Sequence, residues 1–259
     1  MAIHTMMRGD HGTIVREVDG GTDRNGAYMK IYGFQKTTLL DYPGHVAATV
    51  FVGGCNFRCP FCHNGLLVLE PAAQPRIRDE EVLSYLKKRQ GILEGICITG
   101  GEPTLQPDLA AFIRSLKDLG YLVKLDTNGS CPQVLEQLLQ EGLLDYVAMD
   151  IKASPDNYAA AAGLKEIDFD RIRQSICLLM ASNISYEFRT TVVKGIHTLE
   201  EFEEIGRLLQ GCRAYFLQGF RESESMVGQG CQAFSAWEME KMAELAGKYI
   251  DRVELRGVE

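Results

Sequence analysis

The feature that most constrains this chain is a run of seven residues, Val46 to Val52, that is apolar except for Thr49. It is too short for a stable helix or a membrane span, and its lack of alternation means that both faces must be covered. That is the pattern of a strand buried inside a parallel sheet. The same signal recurs downstream, separated each time by a helical pattern. Predicted helices run from about Asp79 to Arg89, with Asp79 as a cap, then after Pro107, over Pro132 to Glu141 and over Phe169 to Ala181. Two more open at the boxes Thr198-x-x-Glu201 and Ser235-x-x-Glu238. Predicted strands are Gly95 to Thr99, Leu122 to Asp126, Tyr146 to Ile151, Ser185 to Val193, Ala214 to Gln218 and Arg252 to Leu255. Strand–helix alternation implies right-handed βαβ units. About six units exceed a small open sheet and fall short of the eight of a closed barrel, so the predicted fold is α/β, a partial TIM barrel of about (β/α)6. Ligands in such folds gather at the carboxyl ends of the strands.

Charge narrows the function further. Twenty-seven Lys and Arg against 35 Asp and Glu leave a net charge of −8 in 259 residues, which argues against a broad phosphate-binding surface and a nucleic-acid partner. No apolar run approaches a membrane span, and the charged first thirty residues do not read as a secretory signal, so a cytoplasmic location is expected. Residues 1–28 read as an N-terminal extension of low order, and 29–259 as one domain.

In a reducing compartment eight cysteines stay thiols, and their clustering carries the information. Cys55, Cys59 and Cys62 form C-x3-C-x2-C directly after the first predicted strand; Cys97, Cys131, Cys177, Cys212 and Cys231 are scattered and read as packing or free thiols. Four chemistries compete for the triple. Cys59-x-x-Cys62-His63 matches a c-type haem attachment, which requires export. Three thiolates with His63 or a distant cysteine could hold structural zinc. An iron–sulfur cubane would be left with one iron lacking a protein ligand, which suits a cluster that binds something. Buried thiols fit poorly with the surrounding Gly53, Gly54, Asn56, Arg58 and Pro60, which are loop residues.

The next three strand ends carry Thr99-Gly100-Gly101-Glu102-Pro103, Asp126-Thr127-Asn128-Gly129 and Asp150-Ile151-Lys152. Paired glycines let backbone approach a ligand, with the Glu102 carboxylate presented beside it. Each motif alone could be turn chemistry. Their succession on consecutive strand ends points to a site. His45 and His197 have no partner spacing and read as surface residues.

These motifs resemble the radical S-adenosylmethionine (SAM) superfamily: C-x3-C-x2-C with Phe61 before its last cysteine, then Gly-Gly-Glu-Pro on the following strand end. More narrowly, Gly33-Phe34-Gln35-Lys36-Thr37-Thr38-Leu39-Leu40-Asp41-Tyr42-Pro43-Gly44, Cys62-His63-Asn64 and Asp126-Thr127-Asn128-Gly129 are similar to the glycyl-radical enzyme activases, most of all those of anaerobic ribonucleoside-triphosphate reductase. The resemblance implies a [4Fe–4S] cluster on Cys55, Cys59 and Cys62, with SAM chelated at the open iron. It implies reductive cleavage of SAM to methionine and a 5′-deoxyadenosyl radical, which takes hydrogen from a glycine of a partner enzyme. It implies an electron donor such as flavodoxin or ferredoxin. By position, Phe61 would lie against adenine, Gly100, Gly101 and Glu102 would hold the methionyl amino end, and Asn128, Lys152 and Arg189 would reach the carboxylate and ribose. Gln218 and the loop Arg221 to Gly230 would line a groove for the partner's peptide. The resemblance also implies that Asp126 and Asp150 could bind a monovalent cation, as in one related activase, although a hydrogen-bonded strand end is the simpler reading here. Asn64 to Ile96 contains no cysteine, so the inserted second-cluster module of many activases is absent from that interval. The shorter activases remain, for the reductase or for pyruvate formate-lyase. A superfamily enzyme acting on a small heterocycle and a structural zinc protein stand as alternatives.

Overall fold

The structure is a computed structural model that describes residues 29–223 and 225–258, so the expected N-terminal extension, 1–28, lies outside the described residues. Eight strands form one sheet in chain order: β1 (Ile31–Thr38), β2 (Ala47–Val52), β3 (Gly95–Gly100), β4 (Leu122–Thr127), β5 (Tyr146–Asp150), β6 (Ser185–Val192), β7 (Tyr215–Gly219) and β8 (Val253–Arg256). All neighbours pair in parallel except β1, which runs antiparallel to β2. Six strands, β2 to β7, are each followed by helix, which is the predicted (β/α)6 with one strand added at either edge.

Every residue of β2 is buried, as its unbroken apolar sequence requires. The covering helices are α1 (Gly65–Leu69), α2 (Asp79–Lys87), α3 (Leu109–Asp118), α4 (Pro132–Gln140), α5 (Tyr158–Ala161), α6 (Phe169–Ala181), α7 (Glu201–Leu208) and α8 (Ala236–Ala246). Helix α3 shows why they pack: Leu109, Phe112, Ile113 and Leu116 recur at helical spacing and all are buried against the sheet. At the amino ends of the parallel strands, Tyr42 fills the floor, 2% exposed and with its ring 5.9 Å from that of Tyr146. Asp41 beside it accepts a hydrogen bond from Thr49 Oγ1 at 2.6 Å.

Four details differ from the sequence reading. β1 is a strand that the apolar pattern does not announce, because an edge strand keeps polar residues such as Gln35 and Lys36 on its open side. Asp79 does not cap α2; Arg78 holds that place, and Asp79 Oδ2 accepts from Met29 N at 3.0 Å. Helix α7 begins at Glu201, whose Oε2 accepts from Thr198 N at 2.8 Å, half of the expected box; Ser235 and Glu238 form the complete one. His197 is buried, not at the surface: Val193 N donates to its Nδ1 at 3.0 Å, leaving Nε2–H to donate to Lys152 O at 2.7 Å.

Candidate active site

The cysteine loop leaves β2 at Gly53 and is held from the ends of four other strands. From β3, Glu102 N donates to Gly54 O at 2.8 Å, and Gly100 O accepts from Asn64 Nδ2 at 2.8 Å. From β4, Ser130 Oγ accepts from Asn56 Nδ2 at 2.9 Å, while Asn128 Nδ2 donates to Asn56 Oδ1 at 3.0 Å and lies 3.8 Å from Cys55 Sγ. After β5, Ala162 O accepts from Arg58 N at 2.8 Å. Beyond β7, Gly228 N donates to Pro60 O at 2.8 Å, and Ser225 Oγ donates to His63 O at 2.8 Å. The loop expected to line a groove therefore rests directly on the cysteine loop. Asn56, Ser130 and Ala162 are site residues that the sequence reading missed; only their neighbours' motifs marked the place.

The three thiols share this loop, Cys59 buried and Cys55 and Cys62 half-buried. Burial pushes Cys55 up to about 12 and Cys59 to about 11, and raises Cys62, so none is a thiolate at neutral pH without a cation to stabilise it. Phe61 is buried, its ring 6.2 Å from that of His197.

The glycine pair is also a place where backbone meets backbone. A Cβ on Gly100, which has φ +113°, would sit 2.5 Å from Val52 O, and one on Gly101 would sit 2.0 Å from Gly54 O. What approaches these glycines is the backbone of the cysteine loop and β2. Gly101→Ala forces those chains apart and should cost about 3 kcal/mol or more of stability, read as a lowered thermal midpoint; an unchanged midpoint would exclude this packing role. Glu102 is turned inward, 1% exposed, rather than presented at the mouth. Its Oε1 accepts from Thr104 N, Thr104 Oγ1 and Thr127 Oγ1 at 3.1, 2.5 and 2.7 Å, and its Oε2 from Asn128 N at 2.7 Å. Burial raises its carboxyl, against the pull of those four donors.

Inside the barrel, charges alternate from the mouth downward. Lys152 Nζ meets Asp150 Oδ2 at 3.1 Å, and Asp150 Oδ1 meets Arg189 Nε at 2.9 Å. Arg189 Nη1 meets Asp126 Oδ2 at 3.3 Å, and Asp126 Oδ1 meets Lys124 Nζ. Burial alone would raise both aspartates; Arg189 first, with Lys152 at Asp150 and Lys124 at Asp126, holds them below the usual carboxylate range. Arg189 is thus an interior residue, not half of a surface ion pair.

The chain's residues 49–209 match the family model of the radical SAM superfamily, well over half of its length. The chain belongs to the radical SAM superfamily. A Methanocaldococcus jannaschii protein that carries the name of a glycyl-radical enzyme activating enzyme is 33% identical over 235 residues, covering 88% of this chain and 96% of that one. The pyruvate formate-lyase-activating enzyme of Clostridium pasteurianum is 29% identical over 153 residues, 57% of this chain and 63% of that one. Among solved structures, a radical SAM methyltransferase from Sphaerobacter thermophilus shares the fold, with a TM-score of 0.66 at 16% identity over 83% of this chain and 67% of that one.

As a radical SAM enzyme, the protein uses a [4Fe–4S] cluster and SAM. The site suits both. Three soft sulfur donors, clamped on one loop with Lys152 close to all three, match a cubane three of whose irons each take one thiolate. Among the described residues, no group of three His, Cys, Asp or Glu side chains is placed to hold a single metal ion. Also among the described residues, no helix is long and apolar enough to cross a membrane.

Proposed function

We propose that this radical SAM enzyme is a glycyl-radical enzyme activase. The observation that carries the reading is the match to the M. jannaschii protein, which runs through nearly the whole of both chains instead of stopping at the shared core. When bound, the cluster and SAM supply one-electron cleavage of the sulfonium bond and removal of a hydrogen atom from a glycine Cα. This chain's own residues hold and orient. Cys55, Cys59 and Cys62 would be the cluster ligands. Lys152 and Arg189, already committed to Asp150 and Asp126, give a fixed positive edge that fits the SAM carboxylate. Asn128 restrains the Cys55 side of the loop, and Phe61 offers a buried aromatic face for adenine. Gly100 and Gly101 would offer backbone to the methionyl amino end, while Glu102 acts from behind by fixing the loops that carry Thr104, Thr127 and Asn128. The loop from Arg221 to Gly230, seated on Pro60 and His63 beside the cysteines, would line the groove for a peptide of the partner.

The partner fits the anaerobic ribonucleoside-triphosphate reductase best, since the run Gly33 to Gly44 and Asp126 to Gly129 both resemble that group of activases. A flavodoxin or ferredoxin is the matching class of electron donor. The test incubates the anaerobically prepared enzyme, SAM and a reductant with the reductase or with pyruvate formate-lyase, and records electron-spin resonance. A glycyl doublet on the reductase is expected. A doublet on the lyase alone would reassign the partner; SAM cleavage with no doublet on either would favour a small-molecule substrate.

A further inference from the structure

Asn56 and Arg58 are the exposed residues of the cysteine loop between Gly53 and Asn64. The Asn56 amide is taken up by Ser130 and Asn128. Arg58 serves neither of them. Although it is exposed, its guanidinium turns back over its own loop, where Nη1 donates to Cys55 O at 2.5 Å and to Phe57 O at 2.8 Å. The backbone beneath it is fixed from the segment after β5. Arg58 N donates to Ala162 O, and a Cβ on Gly163, at φ +68°, would sit 2.1 Å from Arg58 O.

The charges around the three sulfurs show what this placement does. Lys152 bears on all three, Glu102 on Cys55, Asp150 on Cys59 and Cys62, and Arg58 on Cys62. Lys152 is paired with Asp150 at 3.1 Å, and Glu102 and Asp150 are themselves acidic. Arg58 enters no ion pair among the described residues, so no neighbouring carboxylate offsets its charge. A guanidinium does not lose its proton in proteins. A cubane held by three thiolates is an anion, and each electron it takes up adds negative charge. Net charge around a cluster is one of the levers that set its potential.

We propose that Arg58 is the cation that makes the cluster reducible: its unpaired charge, folded over the cysteine loop, raises the cluster's midpoint potential. In the step it favours, a reduced one-electron carrier gives up one electron and the oxidised cluster accepts it, with no proton moved. Arg58 is a positioning residue, acting through the field at the loop and not by contact with SAM or the partner. Its hydrogen bonds are a separate matter. They hold the turn in which Phe57 N donates to Cys55 Sγ at 3.3 Å, and a neutral donor can keep them. The inference rests on Cys55, Cys59 and Cys62 being the cluster ligands, and not on the identity of the glycyl partner.

The test titrates the anaerobically reconstituted enzyme, without SAM, over a series of reductant potentials and follows the reduced cluster by electron-spin resonance. Arg58→Gln keeps a hydrogen-bond donor and loses the charge; Arg58→Lys keeps the charge. At a fixed poise the glutamine variant should show a reduced-to-oxidised ratio about fivefold lower than wild type, a fall of about 40 mV for one electron. The lysine variant should stay within about twofold of wild type. In about 1 M salt the gap between wild type and the glutamine variant should shrink by about half or more, because an exposed charge is screened. A glutamine variant with the wild-type potential would leave Arg58 as a loop fastener, and a lysine variant as low as glutamine would tie the effect to shape. Either result overturns the proposal, as does a gap that salt leaves unchanged. If the glutamine variant does not load, Arg58→Met gives the same comparison; loss of the cluster from both neutral variants would make Arg58 a retention residue and also overturns the proposal. Iron and sulfide analysis precedes the titration, and a wild-type enzyme without a four-iron cluster would fail the ligand assignment itself.

Discussion

Cys59→Ser should abolish SAM cleavage, lowering turnover by about three orders of magnitude or more, equivalent to about 4 kcal/mol in the barrier. The three cysteines are not interchangeable with oxygen donors: a serine hydroxyl is a hard, weakly acidic ligand where iron and sulfide require a soft thiolate. Cys59 is the most enclosed of the three, 6% exposed beneath Lys152 and the clamped loop, so no water-borne thiol can take its place. The loss is chemical and not a failure to fold, because the loop's hold on the barrel runs through Asn56, Arg58, Pro60 and His63, none of which the substitution touches. Iron and sulfide analysis of the anaerobically reconstituted variant, with far-UV circular dichroism as the folding control, checks this. Cys177→Ser, at an exposed position on α6, should keep wild-type iron and activity. A Cys59→Ser enzyme that retains four irons and normal SAM cleavage would remove Cys59 from the ligand set.

Glu102→Ala should be the most destabilising substitution in the barrel mouth, costing about 3–5 kcal/mol and lowering the thermal midpoint by about 10 °C. It strands two backbone N–H groups, of Thr104 and Asn128, and two hydroxyls, of Thr104 and Thr127, in a place water does not reach, and it opens a cavity. Glu102→Gln should cost less, about 1–2 kcal/mol, because its carbonyl can still accept from Thr104 and Thr127 while its amide faces the Asn128 N–H donor to donor. Thermal melts of the cluster-free proteins separate these effects from cofactor binding. An alanine variant within about 1 kcal/mol of wild type would mean that Glu102 does not hold these loops. If the glutamate were instead a ligand presented at the surface, the two substitutions would impair SAM binding without moving the midpoint.

Most of the fold was legible because its signals are local. The burial of β2 follows from its own residues, α4 and α6 match their predicted bounds to within one residue, and α3 opens two residues after Pro107, because helical periodicity is a property of neighbours four apart. β1 was not, since an edge strand satisfies one side with solvent and its sequence carries no two-faced apolar pattern. Lys124 could have been found: it shares a strand face with Asp126 two residues on, and a lone lysine within a strand covered by helices has only the barrel interior to enter. Its place in a chain of ion pairs could not, because that chain runs on through Asp126 to Arg189, more than sixty residues away.

The residues in their linear order determined a strand–helix repeat, the placing of four polar motifs at successive strand ends, and a thiol triad with room for a further ligand. These are short-range matters of periodicity and spacing. Folding alone decided that Glu102 turns inward, that the glycine pair admits backbone from β2 and the cysteine loop, that His197 is interior, and that five charged side chains from three strands form one ladder. Each of those outcomes pairs groups far apart in sequence, and only the closing of the sheet brings their atoms within a few ångströms.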